Sequence, residues 1–369
     1  MRFPALFITY LILVACQGSG PSCARSSYAF PERLLAAVDL GDAKTPSGRA
    51  LSPAAASKLE RRWQELQADE NIESLGIAVA GPDGMWTSPE DPLTPRYYWA
   101  SVGKLFTSVL LEQLVQEGRL RLDASLADWY PELPGAGDIT LAMLLSHRSG
   151  FTSHNEFAAF RDRDTPATPE EVAEFLRDRP LLFCPGTNWY YSNSGYLLLG
   201  RIIEALIGRD YAEAVRERIA EPIGASTLEA LPQGSRPDDV APILPPDGAR
   251  AMAPGDPFSA GNIVSTPADM LRFLIAVLDG RLTGGAALET MAAQLYPMFE
   301  PRLFYGRGIM AYDLTDDLWV GHSGGTPGAK AVIAYSFATR TYVAVALTGE
   351  GSVESVANWI FQALAGAGD

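Results

Sequence analysis

Strand-forming runs stand at both ends of this chain with a helical stretch between them, and no other feature constrains the fold as much. Tyr305–Tyr312, Trp319-Val320, Ala331–Tyr335 and Thr341–Leu347 are rich in β-branched and aromatic residues and are separated by turns. Phe337-Ala338-Thr339-Arg340 suits a hairpin. Connections this short make neighbouring strands antiparallel, because a parallel pair needs a long crossover. Towards the other end, Leu75–Ala80 reads as a short apolar strand, Gly81-Pro82-Asp83-Gly84 as a turn and Met85–Thr87 as a return strand. The expected fold is therefore α/β in the α+β sense: an antiparallel sheet flanked by helices, plus an all-helical part. The sheet-bearing part is expected over residues 46–100 and 300–369, and the helical part over 101–300.

Helix signals fill the remainder. Residues 52–69 open on Ser52-Pro53 and carry Leu59, Trp63 and Leu66 on one side. Residues 131–137 are a loop, and Ile139–Ser146 is a short helix ending near Gly150. Thr168-Pro169-Glu170-Glu171 is a capped start with proline in the first turn. Ser194–Ile207 is apolar and helical and is stopped by Gly208. Thr266-Pro267-Ala268-Asp269 opens a helix that ends at Gly280, and Val353–Leu364 closes the chain. A further helix begins at Ser101 with Leu105, Val109, Leu110, Leu114 and Val115 apolar, which makes it central and buried. There is no internal repeat.

Chemistry first shows at the start of that buried helix, in Ser101-Val102-Gly103-Lys104. Residues three apart share one helix face, so a hydroxyl and an amine stand one turn apart beside unpaired backbone N–H groups. A weak nucleophile needs such a base and such donors. The chain has only four lysines, Lys44, Lys58, Lys104 and Lys330, and only Lys104 has a serine three before it. Alone, the pattern reads equally well as a helix-capping serine followed by a surface lysine. A second constellation is Trp189-Tyr190-Tyr191-Ser192-Asn193-Ser194. Tyr191 and Asn193 project the same way if the segment is extended, and a tyrosine beside a lysine is expected to have a lowered pKa and to act as a base. Clustered tyrosines are otherwise packing residues. A third is Val320-Gly321-His322-Ser323-Gly324-Gly325-Thr326-Pro327, placed after a strand, where glycines let a ligand approach the backbone. Gly321-x-Ser323-x-Gly325 also matches a nucleophile elbow, but that architecture needs a histidine after the serine. The histidines are His147, His154 and His322, so none follows. His147 and His154 read as structural.

The net charge of −15 excludes nucleic acid and a basic membrane-binding face. Arg2, the short apolar run Pro4–Ala15 and the small residues after it read as an export signal over 1–15. Leu13-Val14-Ala15-Cys16 resembles a lipoprotein lipobox, which implies lipidation of Cys16 and a flexible tether over 16–45. Of the other cysteines, Cys184 reads as an unpaired thiol packed in the interior, a bridge to Cys23 being the alternative. Three cysteines at this spacing make no zinc site, and no metal or organic cofactor is expected.

Taken together, the three constellations resemble the serine β-lactamase and penicillin-binding superfamily, in the branch of class C β-lactamases, D-alanyl-D-alanine carboxypeptidases and related esterases. Ser101-x-x-Lys104 fits the first motif, Tyr191-Ser192-Asn193 is similar to the branch's Tyr-x-Asn, and His322-Ser323-Gly324 stands where Lys-Thr-Gly belongs. Leu144–Gly150 and Ala260–Thr266 also match, and the resemblance covers roughly 50–365. It implies a β-lactamase/transpeptidase-like fold and an acyl-enzyme on Ser101. Lys104 would take or polarise the serine proton, Tyr191 would serve as shared base and acid, and Asn193 would orient substrate and lysine. The backbone N–H groups of Ser101 and Gly325 would hold the oxyanion, with His322, Ser323 and Gly324 binding substrate. His322 departs from the lysine of the motif: a histidine is mostly neutral at pH 7 and attracts a carboxylate less. The expected protein is a monomeric, lipid-anchored serine hydrolase of a bacterial cell envelope, facing the periplasm with the outer membrane favoured. Its leading substrates are D-amino-acid peptides of the cell wall. A carboxylesterase or β-lactamase of the same fold is the alternative, and a non-catalytic peptidoglycan-binding lipoprotein is a third.

Overall fold

Among the described residues, eight antiparallel strands form the main sheet in the order β2-β1-β11-β10-β9-β8-β7-β6. They are β1 (Ile72–Gly81), β2 (Gly84–Thr87), β6 (Tyr296–Pro297), β7 (Leu303–Tyr305), β8 (Met310–Asp313), β9 (Leu318–Thr326), β10 (Ala329–Ser336) and β11 (Thr341–Gly349). The structure is a computed structural model that describes residues 46–246, 251–299 and 302–365. The expected signal segment, Cys16, Cys23 and the tether lie outside the described residues. The first strand pairs with the last, Ile77 opposite Val345, so the two ends of the chain close one sheet.

Period-2 alternation gives the sheet two apolar faces. Ile77, Val79, Val332, Val343 and Val345 pack with Leu59 of α1 (Pro53–Gln67) and with Val356, Ile360 and Phe361 of the closing helix (Val353–Ala365). On the other face Ala78, Ala80, Ala331, Ala344 and Ala346 join the larger core of the helical part. Small side chains there admit a helix close to the strands. Pro267–Leu278 occupies that place, and an added Cβ at Gly76 would lie 2.7 Å from Pro267.

α2 (Gly103–Gln116) runs through the middle of this core, and every residue from Gly103 to Glu112 is buried. α3 (Leu141–Leu145), α4 (Pro169–Arg177) and α5 (Asn193–Ile207) surround it. The expected caps are present: Thr168 and Glu171 form a reciprocal capping box, and Gly208 ends α5 in the left-handed region at φ 72°.

Three features differ from the sequence expectation. The Tyr305–Tyr312 run is two strands, because Gly306–Ile309 turns back with Gly306 N donating to Ile309 O at 2.8 Å. A small second sheet joins β3 (Tyr97–Tyr98), in the expected sheet-bearing part, to β5 (Ile263–Ser265) and β4 (Glu229–Ala230), which lie inside the expected helical part. Cys184 is disulfide-bonded and only half-buried, with its partner outside the described residues, so it is not an unpaired interior thiol.

Candidate active site

Ser101 sits where β3 turns into α2. Trp99 fixes that turn: its backbone N–H donates to Ile263 O and its indole Nε1–H to Ser265 O, both at 3.0 Å. Ala100 follows in the left-handed region at φ 47°, a strained conformation for a residue with a Cβ. A single 3-10 turn, Ala100–Val102, carries Ser101 into the helix. Gly261 lets the neighbouring segment lie against this turn, since an added Cβ would stand 2.7 Å from Ala100 O.

Lys104 reaches back one turn, as the i, i+3 spacing requires. Its Nζ lies 3.0 Å from Ser101 Oγ and donates to Ala260 O at 2.7 Å. The side chain is 0% exposed, and no carboxylate among the described residues pairs with it. Burial therefore drives its pKa well below the ordinary lysine value. Lowered in this way, the amine gives up its proton more readily, which is what a general base beside Ser101 needs.

Tyr191 hydrogen-bonds the Ser101 side chain, and its ring centre lies 5.0 Å from Lys104 Nζ. The lowered pKa expected of this phenol is not found. Burial raises it, and the bond from Ser101 offsets only part of that rise. The reason is physical: the enclosure that buries Lys104 also buries this phenol, and desolvation disfavours its charged form. Tyr191 is thus a neutral phenol able to pass a proton, with Lys104 as the resting base. His147 packs against it at 4.3 Å between ring centres and accepts from Ser192 N at 3.1 Å, which fixes the extended residue between Tyr191 and Asn193.

Asn193 begins α5 and lines the cleft. Its Nδ2 donates to Asn155 Oδ1 at 3.0 Å, and Ser153 Oγ donates to the same oxygen at 2.7 Å. With Oδ1 doubly occupied, Asn155 turns its Nδ2 donor away from that pair, while Asn193 keeps its Oδ1 as an acceptor. The two amides match the N–H and C=O of a peptide-like group. Sequence reasoning missed Asn155; its one signal was membership of the loop 152–168, whose conformation has no pattern. His154 also lines the cleft while holding Ser194 Oγ at 3.2 Å, and burial takes its pKa down to about 4.

The glycine-rich stretch lies within β9 itself. β8 pairs with β9 only as far as Gly321, which faces Met310, so the edge beyond it is open towards the cleft. Gly324 packs on the nucleophile turn: an added Cβ would lie 2.5 Å from Ser101 N and 2.6 Å from Trp99 O. Gly325 and Ser101 line the same cleft, which gives two backbone N–H groups for a developing oxyanion. His322 does not stand on the cleft wall where a substrate-binding role would put it. It is 0% exposed, accepts from Tyr305 O–H at 3.0 Å and donates Nδ1–H to Ser323 O at 2.5 Å. Burial, with Lys104 nearby, lowers its pKa to about 3, so it is a neutral support behind Ser323.

The cleft has a volume of about 490 Å³. Ser101, Asn193, Asn155 and Gly325 form its polar end, and Phe160, Leu197 and Met252 its apolar wall. Among the described residues no group of three or more His, Cys, Asp or Glu side chains is placed to hold a metal ion. The arrangement can carry acyl transfer: a nucleophile, a buried base, a proton-passing phenol and an oxyanion pocket meet at one point.

A family model described as Beta-lactamase matches residues 59–367. Penicillin-binding protein 4 of Amycolatopsis lactamdurans is 28% identical over 291 residues, 72% of this chain and 75% of that protein. Among solved structures, D-amino acid amidase from Ochrobactrum anthropi SV3 has the same fold, with TM-score 0.76 over 86% of this chain and all of that one at 23% identity. A D-stereospecific amidohydrolase from Streptomyces sp. superposes with TM-score 0.72 at 25% identity, covering 86% of this chain and 100% of its own.

Proposed function

The chain belongs to the beta-lactamase family, as a serine hydrolase related to DD-peptidases and D-amino acid amidases, and from that premise we propose that it is an exported enzyme cleaving amide bonds of D-amino-acid derivatives. One observation carries the reading: a fully buried lysine, without a charged partner among the described residues, lies 3.0 Å from a serine hydroxyl at the mouth of a cleft. Ser101 Oγ attacks the carbonyl carbon as its proton passes to Lys104. The oxyanion rests on the N–H groups of Ser101 and Gly325. The proton then returns through Tyr191 to the leaving nitrogen, the C–N bond breaks and an acyl-enzyme remains. Water, giving its proton to the same Lys104–Tyr191 pair, attacks the ester and regenerates Ser101.

Support for amide substrates comes from the Asn193–Asn155 pair, which fits a peptide-like group, and from the likeness to the Streptomyces amidohydrolase. Support for export comes from the apolar leader with Cys16 and from the disulfide at Cys184, since disulfides persist in oxidising compartments. On this reading the protein is anchored through Cys16 and faces the periplasm; no described helix is long and apolar enough to cross a membrane.

The test is intact-mass spectrometry of the full-length chain after exposure to a fluorophosphonate and, separately, to benzylpenicillin, with Ser101→Ala beside it. Hydrolysis of N-acetyl-D-phenylalaninamide and its L-enantiomer is followed in parallel. The expected result is a fluorophosphonate adduct confined to the parent and cleavage that favours the D-form. An unlabelled parent that hydrolyses neither amide would sink the proposal. Rapid turnover of benzylpenicillin with no amide cleavage would replace it with a β-lactamase.

A further inference from the structure

We propose that the acyl side of the cleft binds a cation, with Asp256 as the residue that decides, so that the enzyme prefers acyl groups carrying an ammonium and discriminates against those carrying a carboxylate. The inference rests on the hydrolase reading and names the substrate class within it.

The reaction divides the site into two sides. Tyr191 passes its proton to the leaving nitrogen, so the leaving group lies on the Tyr191 side, where the rings of Trp189 and Phe299 stand 6.3 and 6.1 Å from its own. None of these three rings belongs to the cleft wall that carries Phe160, Leu197, Asp256 and Pro257. With the carbonyl carbon held at Ser101, that wall takes the acyl group.

Asp256 is fixed before any substrate arrives. Its backbone N–H donates to Ala253 O, and Ala253 N–H donates to its Oδ2, both at 3.0 Å, which closes a tight turn. Gly255 lets that turn press on the neighbouring segment, since an added Cβ would collide with Pro232 O. Gln233 Nε2 ties two loops of the cleft together, donating to Ala167 O at 2.7 Å and to Asp256 O at 3.4 Å. Four residues further on, Ala260 O holds Lys104 Nζ, so one short stretch carries both this carboxylate and the carbonyl that orients the base. Asp256 is half-buried, lines the cleft and keeps its Oδ1 as an acceptor.

The other charges on the cleft are already matched. Arg163 holds Glu171 with two bonds, at 2.6 and 3.1 Å, and donates to Thr165 O and Pro166 O as well. Arg161 holds Asp162 at 2.8 and 3.2 Å. His154 is neutral near pH 7. Among the described residues no cation pairs with Asp256. A carboxylate half removed from water and without a counter-ion gains from an incoming ammonium and repels an incoming carboxylate. The ammonium has two sources, the free α-nitrogen of a D-aminoacyl group and the side chain of a basic one.

The experiment keeps the leaving group constant, since every substrate is a primary amide that releases ammonia. Full-length enzyme is given N-acetyl-D-norleucinamide, N-acetyl-D-lysinamide, D-norleucinamide and the α-amide of N-acetyl-D-glutamate, and kcat/KM is compared. The buffer is at pH 7 and low ionic strength, where both amines are mainly protonated. A half-buried contact between unit charges is worth about five- to tenfold. At least one ammonium substrate should exceed the neutral N-acetyl-D-norleucinamide by about fivefold, and the glutamate amide should fall about fivefold below it. A gain with the lysinamide places the cation on the side chain, and a gain with D-norleucinamide places it at the α-nitrogen. Asp256→Asn, which keeps an oxygen for Ala253 N–H, should shrink the gain to within about twofold, and Asp256→Lys should put the glutamate amide ahead of the lysinamide. Added salt should narrow the parent's gap, a readout that needs no variant. A parent that treats all four amides within twofold, or a gain that neither folded variant moves, overturns the inference and leaves Asp256 as the residue that closes its own turn. In those cases fluorophosphonate labelling of Ser101 still stands. If there is neither labelling nor hydrolysis of any of the four, the underlying hydrolase reading fails and takes the inference with it.

Discussion

Two adjacent glycines of β9 should respond in opposite ways to the same substitution. An alanine Cβ at position 324 would lie 2.5 Å from Ser101 N and 2.6 Å from Trp99 O, both backbone atoms that cannot rotate away. Non-bonded heavy atoms settle at about 3.5 Å or more, so β9 or the nucleophile turn must retreat by about 1 Å. That displacement separates the two N–H groups of the oxyanion pocket. Losing one such donor costs about 10²–10³ in rate, and a misplacement of about 1 Å alone costs about 10². Gly324→Ala should therefore lower kcat/KM by about 100-fold or more, about 2.7 kcal/mol of transition-state stabilisation. At Gly325 the added Cβ meets only Lys330 Cγ at 3.7 Å and Ala329 O at 3.8 Å, ordinary contacts, and the N–H is retained. Gly325→Ala should stay within about threefold of the parent. The assay is stopped-flow hydrolysis of a D-phenylalanine amide or ester, with thermal unfolding of each variant run alongside. A folded Gly324→Ala enzyme with near-parental activity would refute the reasoning, because the close approach of β9 would then have no part in the chemistry.

Replacing Lys104 by arginine should abolish turnover, by about 10³-fold or more, as completely as replacing it by methionine, since a guanidinium does not give up its proton. In the parent, kcat/KM should fall as pH drops through the lowered pKa of Lys104, because protonation removes the base; an arginine variant keeping a tenth of the activity would rule out that role. Glu112, 3% exposed on α2, has its carboxyl pushed by burial from 4.5 up to about 7, against the opposing effects of Arg307 and Thr290. The folded state keeps this proton where the unfolded chain gives it up, so stability should be fullest below pH 4.5 and fall by up to about 3 kcal/mol as pH rises to about 7. Glu112→Gln should flatten that slope in urea unfolding at pH 5 and 8; an unchanged slope would mean that the carboxyl ionises without cost.

Much of this site was legible because its signals are local. The i, i+3 spacing of Ser101 and Lys104, the apolar run that buries their helix and the capped starts at Thr168 and Thr266 each depend on a few consecutive residues. Strand runs of eight or nine residues, such as β10 and β11, declared themselves by composition, whereas only Trp319-Val320 of β9 did, its glycines carrying no strand signal; β3 and β4, at two residues each, are too short to show a period. Other features depend on distance in sequence. Asn155 reaches Asn193 across 38 positions, and the bond at Cys184 reaches outside the described residues. The direction of the Tyr191 shift turned on burial: the sequence placed a lysine beside it but could not say how deeply the phenol would be enclosed.

The nucleophile turn is held by pieces of chain that are made late. Trp99 hangs from Ile263 and Ser265, Lys104 from Ala260, and Ser108, one turn further along α2, donates to Arg307 O across 199 positions. Loop-closure entropy must be overcome before any of these contacts can form. A nascent chain that has emerged as far as α5 already contains Ser101, Lys104, Tyr191 and Asn193, yet it has neither the strand that forms half the oxyanion pocket nor the carbonyl that orients the base. Truncated or unfolded copies are therefore silent as hydrolases. Catalytic competence arrives only with the last strands, so activity doubles as a readout of complete folding.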